Sequence, residues 1–114
     1  GLTLIGVHLG LARSSRRAQL ARLMAKAARL SSNAVMMMGD FNEWRGDRGL
    51  ESLAMLRVIA PGPSYPAPMP RLQLDRIAVS HAVEVRATGV EDSPLARQAS
   101  DHLPIWAEIT LHLP

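Results

Sequence analysis

The chain has 114 residues, of which 47% are hydrophobic and 20% charged, with a formal net charge of +3 and no cysteine. That length is enough for one domain and too short for two. The absence of cysteine excludes a disulfide scaffold and any thiolate-bound zinc or iron–sulfur centre, and no apolar run nears the ~20 residues of a membrane-spanning helix.

Leu2 to Leu9 alternates loosely between apolar and small or polar residues, which predicts a strand. It opens the chain without an initiator methionine, so the sequence reads as a fragment. Gly1 to Gly10 has neither the basic start nor the cleavage site of a signal peptide, and a cytoplasmic location is expected. A helix follows, with Ser14 or Ser15 as its cap and Leu20, Leu23, Met24, Ala27 and Leu30 as one apolar stripe. Arg16, Arg17, Arg22, Lys26 and Arg29 mostly fall off that stripe and read as a solvated face, and Ser31-Ser32-Asn33 ends the helix. Ala34 to Met38 is a continuous apolar run, the pattern of a strand covered on both faces. Strand, crossover helix and strand form a right-handed βαβ unit, so the two strands are expected to be parallel.

Phe41 to Gly49 reads as a loop and Leu50 to Leu56 as a short helix. Pro61, Pro63, Pro66, Pro68 and Pro70 then space out an extended loop, because proline cannot donate to a helix or a ladder. Leu72 to Ser80 and Ala82 to Thr88 read as strands joined by a tight hairpin at Ser80 and His81. Val83, Val85 and Ala87 share one face of the second, against Glu84, Arg86 and Thr88. Glu91 to Ser100 reads as a loop, and Leu103 to Leu113 as a closing strand. There Ile105, Ala107, Ile109 and Leu111 alternate with Trp106, Glu108, Thr110 and His112.

Unusual polar residues gather at strand ends. His8 ends the first strand, and Asp40 and Asn42 follow the second in Gly39-Asp40-Phe41-Asn42. Asp75 lies near the start of the third, in Leu74-Asp75-Arg76-Ile77, and Asp101-His102 precede the last, in Ser100-Asp101-His102-Leu103-Pro104. If the third and last strands run antiparallel to the first two, all of these reach one rim. Carboxylates drawn together repel unless a cation or proton lies between them, and an oxygen-rich cluster without thiolates suits magnesium or manganese.

Those four motifs, in this order, resemble the endonuclease/exonuclease/phosphatase superfamily, which includes DNase I-like nucleases, sphingomyelinases and inositol-polyphosphate 5-phosphatases. The resemblance runs from His8 to Pro104 and covers only part of the family's domain. It implies an α/β fold in which residues 1–114 form the C-terminal half of a DNase I-like four-layer α/β sandwich. That half has a mixed sheet and one long crossover helix. The other half supplies an asparagine and a metal-binding glutamate that this chain does not contain. By resemblance, Asp101 and Asp40 are metal ligands and the cofactor is magnesium or manganese. His102 contacts the scissile phosphate, with Asp75 as its carboxylate partner. Asp40 orients or deprotonates the attacking water, Asn42 holds that water or a phosphate oxygen, and His8 stands near the leaving oxygen. The implied activity is metal-dependent hydrolysis of a phosphodiester or phosphomonoester, in nucleic acid or in a phospholipid or inositol phosphate.

Each motif also has a plain structural reading. Asp40 and Asn42 suit a turn out of a strand, Asp75 beside Arg76 suits a surface ion pair, and Asp101 suits a cap. His8 suits a hydrogen-bonded core histidine, and His81 and His112 show no partner in sequence. The alternative to an enzyme is a catalytically incomplete half-domain that binds polyanions or a partner through its basic helix. The resemblance further implies an uncovered inner sheet face, through which the chain is expected to pair with the missing N-terminal half or form a homodimer.

Overall fold

The computed structural model describes residues 1–30, 33–46 and 48–112. Strand β1 (Leu2–His8) leads into helix α1 (Arg13–Ala27) and returns in β2 (Ala34–Asp40). A single 3-10 turn (Glu51–Leu53) precedes β3 (Arg57–Ile59), and β4 (Asp75–Val79) follows the proline loop. The chain closes with β5 (Val83–Val90), the short helix α2 (Pro94–Ala99) and β6 (Ile105–Leu111).

Four strands form one mixed sheet in the order β1-β2-β4-β3. β1 and β2 are parallel, as their crossover helix requires, with Leu2 opposite Ala34 and His8 opposite Asp40. β4 runs antiparallel to β2 and places Asp75 opposite Asp40. The Ala34–Met38 run is buried from Ala34 to Met37, in keeping with a strand covered on both sides. On one side Met37 and Ala78 pack with Leu20 of α1, Phe41 and Leu53, while Ile5, Val7, Leu23 and Met24 close around them. On the other side Met36, Ile77 and Val79 pack with Val83, and Val85, Ile105, Ala107, Ile109 and Leu111 extend that layer.

That second layer departs from the expected hairpin. β5 does not pair with β4; it pairs antiparallel with β6 in a separate two-stranded sheet, with a bulge between Val85 and Ala87. Val83, Val85 and the alternating Ile105–Leu111 set need an apolar surface, and the mixed sheet's second face provides one. The expected bare inner face is therefore covered over β2 and β4. On β1 it stays open, where Leu4 is 62% exposed.

Other expectations are corrected locally. Helix α1 starts before its serines: its cap is Ala12, with no side-chain cap bond, and the last turn ends before Leu30. Ser31, Ser32 and Leu113 lie outside the described residues. Arg16 is buried among main-chain carbonyls and Glu43, not solvated. The short helix at Leu50–Leu56 contracts to the 3-10 turn, and Arg57–Ile59, read as part of no strand, pairs with β4 as the sheet edge. Within the expected loop at Glu91–Ser100, Pro94 at the start and the Ser93 hydroxyl, accepting from Ala96 N–H at 3.1 Å, seed α2. His112 does have a partner, Glu84, at 2.7 Å. Among the described residues no helix is long and apolar enough to cross a membrane.

Candidate active site

Register alone assembles half of the site. His8, Asp40 and Asp75 are direct neighbours on three adjacent strands, so their side chains emerge together at one rim. The Asp101-His102 segment belongs to the other sheet and arrives differently. Leu103 N–H donates to the Ser64 carbonyl and Ala67 N–H to the Asp101 carbonyl, both at 2.8 Å, while the buried Leu103 packs with Ala67 and Ala96. The proline loop is thus the bracket that carries His102 to the rim.

There the His102 ring is oriented by Asp75, with Nδ1 2.8 Å from Oδ2. The buried Ser64 hydroxyl donates to that same oxygen. A carboxylate on Nδ1 holds a proton at that nitrogen and turns Nε2 into the cleft, where it lies 3.5 Å from Asp40 Oδ2. His8 Nε2 faces the same Asp40 oxygen from the other side at 3.6 Å. Burial opposes charge on His102, but the hydrogen bond and charge of Asp75, with Asp40 and Asp101, outweigh it and raise its pKa. Burial likewise raises the pKa of Asp40, against the Asn42 N–H and the neighbouring imidazoles, and the charge of Asp75 pushes the same way. A carboxylate with raised basicity beside two imidazoles is suited to taking a proton from water.

Asn42 shapes the turn as well as lining the cleft. Its backbone has φ 51°, its N–H donates to Asp40 Oδ1 at 2.8 Å, and its side-chain Nδ2 donates to the Leu9 carbonyl at 2.5 Å. One amide hydrogen thus ties the two loops together, and the other is left for a ligand. Asp101 is exposed at the mouth, with the Ser100 hydroxyl 3.4 Å away. With His8, Asp40, Asn42, Tyr65 and His102 it lines a cleft of about 370 Å³. Asp75 beside Arg76 is no surface ion pair: both are buried, and Arg76 turns away to main-chain carbonyls.

Sequence reasoning missed three residues here. Ser64 braces Asp75, Tyr65 lies against the His102 ring with centroids 4.8 Å apart, and Trp44, 59% exposed, lines the cleft. Nothing local marked Ser64 or Tyr65, a serine and a tyrosine among prolines; Trp44 was detectable as an aromatic residue two positions after Asn42.

Glu43 was also missed. It is fully buried, and the Arg13 side chain, with Arg16 and the Arg45 N–H, overcomes its burial and holds its carboxyl at about 2 against an ordinary 4.5. A depressed folded-state pKa gives stability that is complete above the unfolded value and is lost as pH falls toward the folded one. Between pH 4.5 and 2 the domain is therefore expected to lose about 3 kcal/mol through this group. Thermal melts across that window check it: Glu43→Gln should flatten the slope, and an unchanged slope would remove the assignment.

As a cation site, the donor set is partial. Donor atoms of Asp40, Asp75 and His102 lie within 4.8 Å of one another. Asp75 and His102, however, are hydrogen-bonded to each other, with Asp40 3.5 Å from the far nitrogen of the ring. Among the described residues, the other carboxylates lining the cleft are those of Asp40 and Asp101. One or two carboxylates, completed by water and substrate oxygens, are what magnesium commonly takes from a protein, so the residues fit a hard divalent ion.

The sequence profile described as Endonuclease/Exonuclease/phosphatase family matches residues 4–102. The chain is 37% identical over 116 aligned residues to the uncharacterized protein YbhP of Escherichia coli K12, covering 92% of this chain and 45% of that protein. It therefore spans about half the length of the curated relatives it matches. A functionally unknown conserved protein from Enterococcus faecalis V583 superposes with TM-score 0.79 at 20% identity, over 95% of this chain and 49% of that one. The mannosyl-6-phosphatase Bt3783 of Bacteroides thetaiotaomicron VPI-5482 superposes with TM-score 0.74 at 18% identity, over 95% and 51%.

Proposed function

Because the chain belongs to the endonuclease/exonuclease/phosphatase family, we propose that it carries one part of the active site of a magnesium-dependent phosphoester hydrolase. The observation that carries this reading is the Asp75–His102 pair aimed at Asp40 across the cleft, with Nε2 3.5 Å from the carboxylate. A relay of that form is a costly arrangement for mere packing, since it keeps two carboxylates and an imidazole together in partial burial. The phosphatase named among its structural neighbours agrees with the phosphoester class.

In this reading Asp40 orients a water and accepts its proton as the oxygen attacks phosphorus. His102, held as the imidazolium by the charge of Asp75, donates from Nε2 to a non-bridging phosphate oxygen as charge builds there, and the second amide hydrogen of Asn42 supports the same group. The bond to the ester oxygen on the opposite side breaks, and His8 stands where a proton can be given to it. Asp101 and Asp40 would hold the magnesium ion, whose charge, when it is bound, offsets that of the phosphoryl oxygens. The substrate class is a phosphate ester of nucleic acid, or of a phospholipid or inositol phosphate.

Hydrolysis of bis(p-nitrophenyl) phosphate tests the reading, on this chain and on a family-length protein carrying it. Magnesium is expected to support turnover, and chelator to lower it by at least about a hundredfold. Equal rates with and without chelator would remove the metal, and no turnover in either protein would remove the hydrolase.

A further inference from the structure

Behind the rim, around the fully buried Glu43, lies a cluster of ions that the proposed chemistry does not use. Glu43 Oε1 accepts from Arg13 Nε at 2.8 Å and from Arg16 Nη2 at 3.0 Å; Oε2 accepts from Arg13 Nη2 at 3.0 Å and from the Arg45 N–H at 3.2 Å. The Glu43 carbonyl accepts from Arg76 Nη2 at 2.7 Å, and Arg76 also donates to the Gln73 and Gly46 carbonyls. Arg16 reaches the other way, donating to the Leu11 and Gly10 carbonyls at 2.5 and 3.2 Å. Gly49, at φ 80°, lies so close that a Cβ there would meet Arg13 at 2.9 Å.

The connections of this cluster are selective. Glu43 is the chain neighbour of Asn42, Arg76 is the neighbour of Asp75, and Arg16 grips the turn that follows His8 and Leu9. Each strand end that contributes a rim residue to the mixed sheet is therefore tied to Glu43: the turn after β1 through Arg16 and the carboxylate, β4 through Arg76 and the main-chain carbonyl, and β2 along the chain. Stability alone explains this poorly. Desolvating a carboxylate and guanidinium groups offsets much of their attraction, and well-packed apolar side chains of similar size commonly do as well or better. What a forked guanidinium–carboxylate pair adds is direction, because its planar hydrogen bonds fix two groups in angle as well as distance.

We propose that Glu43, clamped by Arg13 and Arg16, is a positioning residue that sets the Asp40–Asn42 turn and aligns it with His8 and Asp75. The role in turnover rests on the hydrolase reading above; the role in the geometry of the turn does not. Loss of the clamp leaves the cleft's chemical groups present but misaligned, which lowers the rate of the chemical step more than substrate binding.

The test compares Glu43→Gln with Arg13→Lys, the second retaining the charge on a partly exposed side chain while losing the fork. Backbone amide exchange is read at Asn42, whose N–H closes the turn onto Asp40, and at Met37 in the middle of β2. Exchange at Asn42 is expected to rise roughly tenfold in Arg13→Lys while that at Met37 holds; in Glu43→Gln, which also gives up the stability of the buried carboxylate, both are expected to rise. With bis(p-nitrophenyl) phosphate, kcat is expected to fall roughly tenfold to a hundredfold and KM to stay within about twofold. Unchanged exchange at Asn42 in both variants would overturn the proposal, as would equal acceleration at Met37 in Arg13→Lys, which marks a merely structural role. A wild-type protein without turnover would count against the hydrolase reading alone, and the exchange measurement would still decide this one.

Discussion

His102→Ala is expected to lower kcat for diester hydrolysis by about a thousandfold, within the range set by removing one well-placed acid–base or phosphate-binding group. Its Nε2 faces Asp40 across the cleft, and no other described imidazole is held in place by a buried carboxylate. Asp75→Asn separates orientation from mere presence. The amide would offer an oxygen or an N–H to Nδ1 but no negative charge, so the ring would no longer be held as the imidazolium that donates from Nε2 to phosphate. A loss of at least about a hundredfold is expected with folding retained, since Ser64 still has an oxygen to bond. Steady-state kinetics on both variants, with circular dichroism as the control for folding, check this. Wild-type rates in His102→Ala would mean that the relay is architectural.

Gly39→Ala is expected to be the most damaging small substitution in the chain. The residue sits inside β2 at φ 141°, and a Cβ there would lie 2.0 Å from the Val7 carbonyl oxygen. That oxygen belongs to the backbone of the neighbouring strand, so relief requires β1 and β2 to part where they present His8 and Asp40. Backbone strain and a broken ladder place the loss at about 4 kcal/mol or more, in the range reserved for a few named mechanisms. Urea unfolding measures it, and a loss under about 1 kcal/mol would show that the strands can part freely. Alanine at Gly6, where a Cβ meets nothing within 4 Å, is the matched control.

Residues whose role follows from their own neighbourhood in sequence were legible from it. The alternation of Leu2 to Leu9, the stripe through Leu20, Leu23 and Met24, and the run from Ala34 all point to β1, α1 and β2. A parallel pair then follows from chain connectivity. The position of Asp40 just after an apolar run, and of Asp75 at the start of another, was enough to suggest a shared rim. Arg16 shows where such reading breaks down. On a helical wheel it is one more cation of a polar face, yet the loop that packs over it carries Glu43 and makes it a buried ligand. Ser64 fails for a different reason: its importance lies in a hydroxyl that meets Asp75, 11 residues along the chain, and prolines on either side say only that the segment is extended.

By itself, then, the amino-acid order determined the elements that periodicity dictates, the parallel βαβ unit, and the family, through four short polar motifs at strand ends. Tertiary structure alone decided that Val83–Val90 leaves the mixed sheet to pair with Ile105–Leu111, and that the proline loop brackets His102 onto Asp75. It also decided that one glutamate behind the rim gathers the arginines. The division has one physical cause. Periodicity and turn preference are set by neighbours a few residues away, whereas strand partnering, burial of a charge and orientation of a ring depend on surfaces that meet only after the chain has closed long loops.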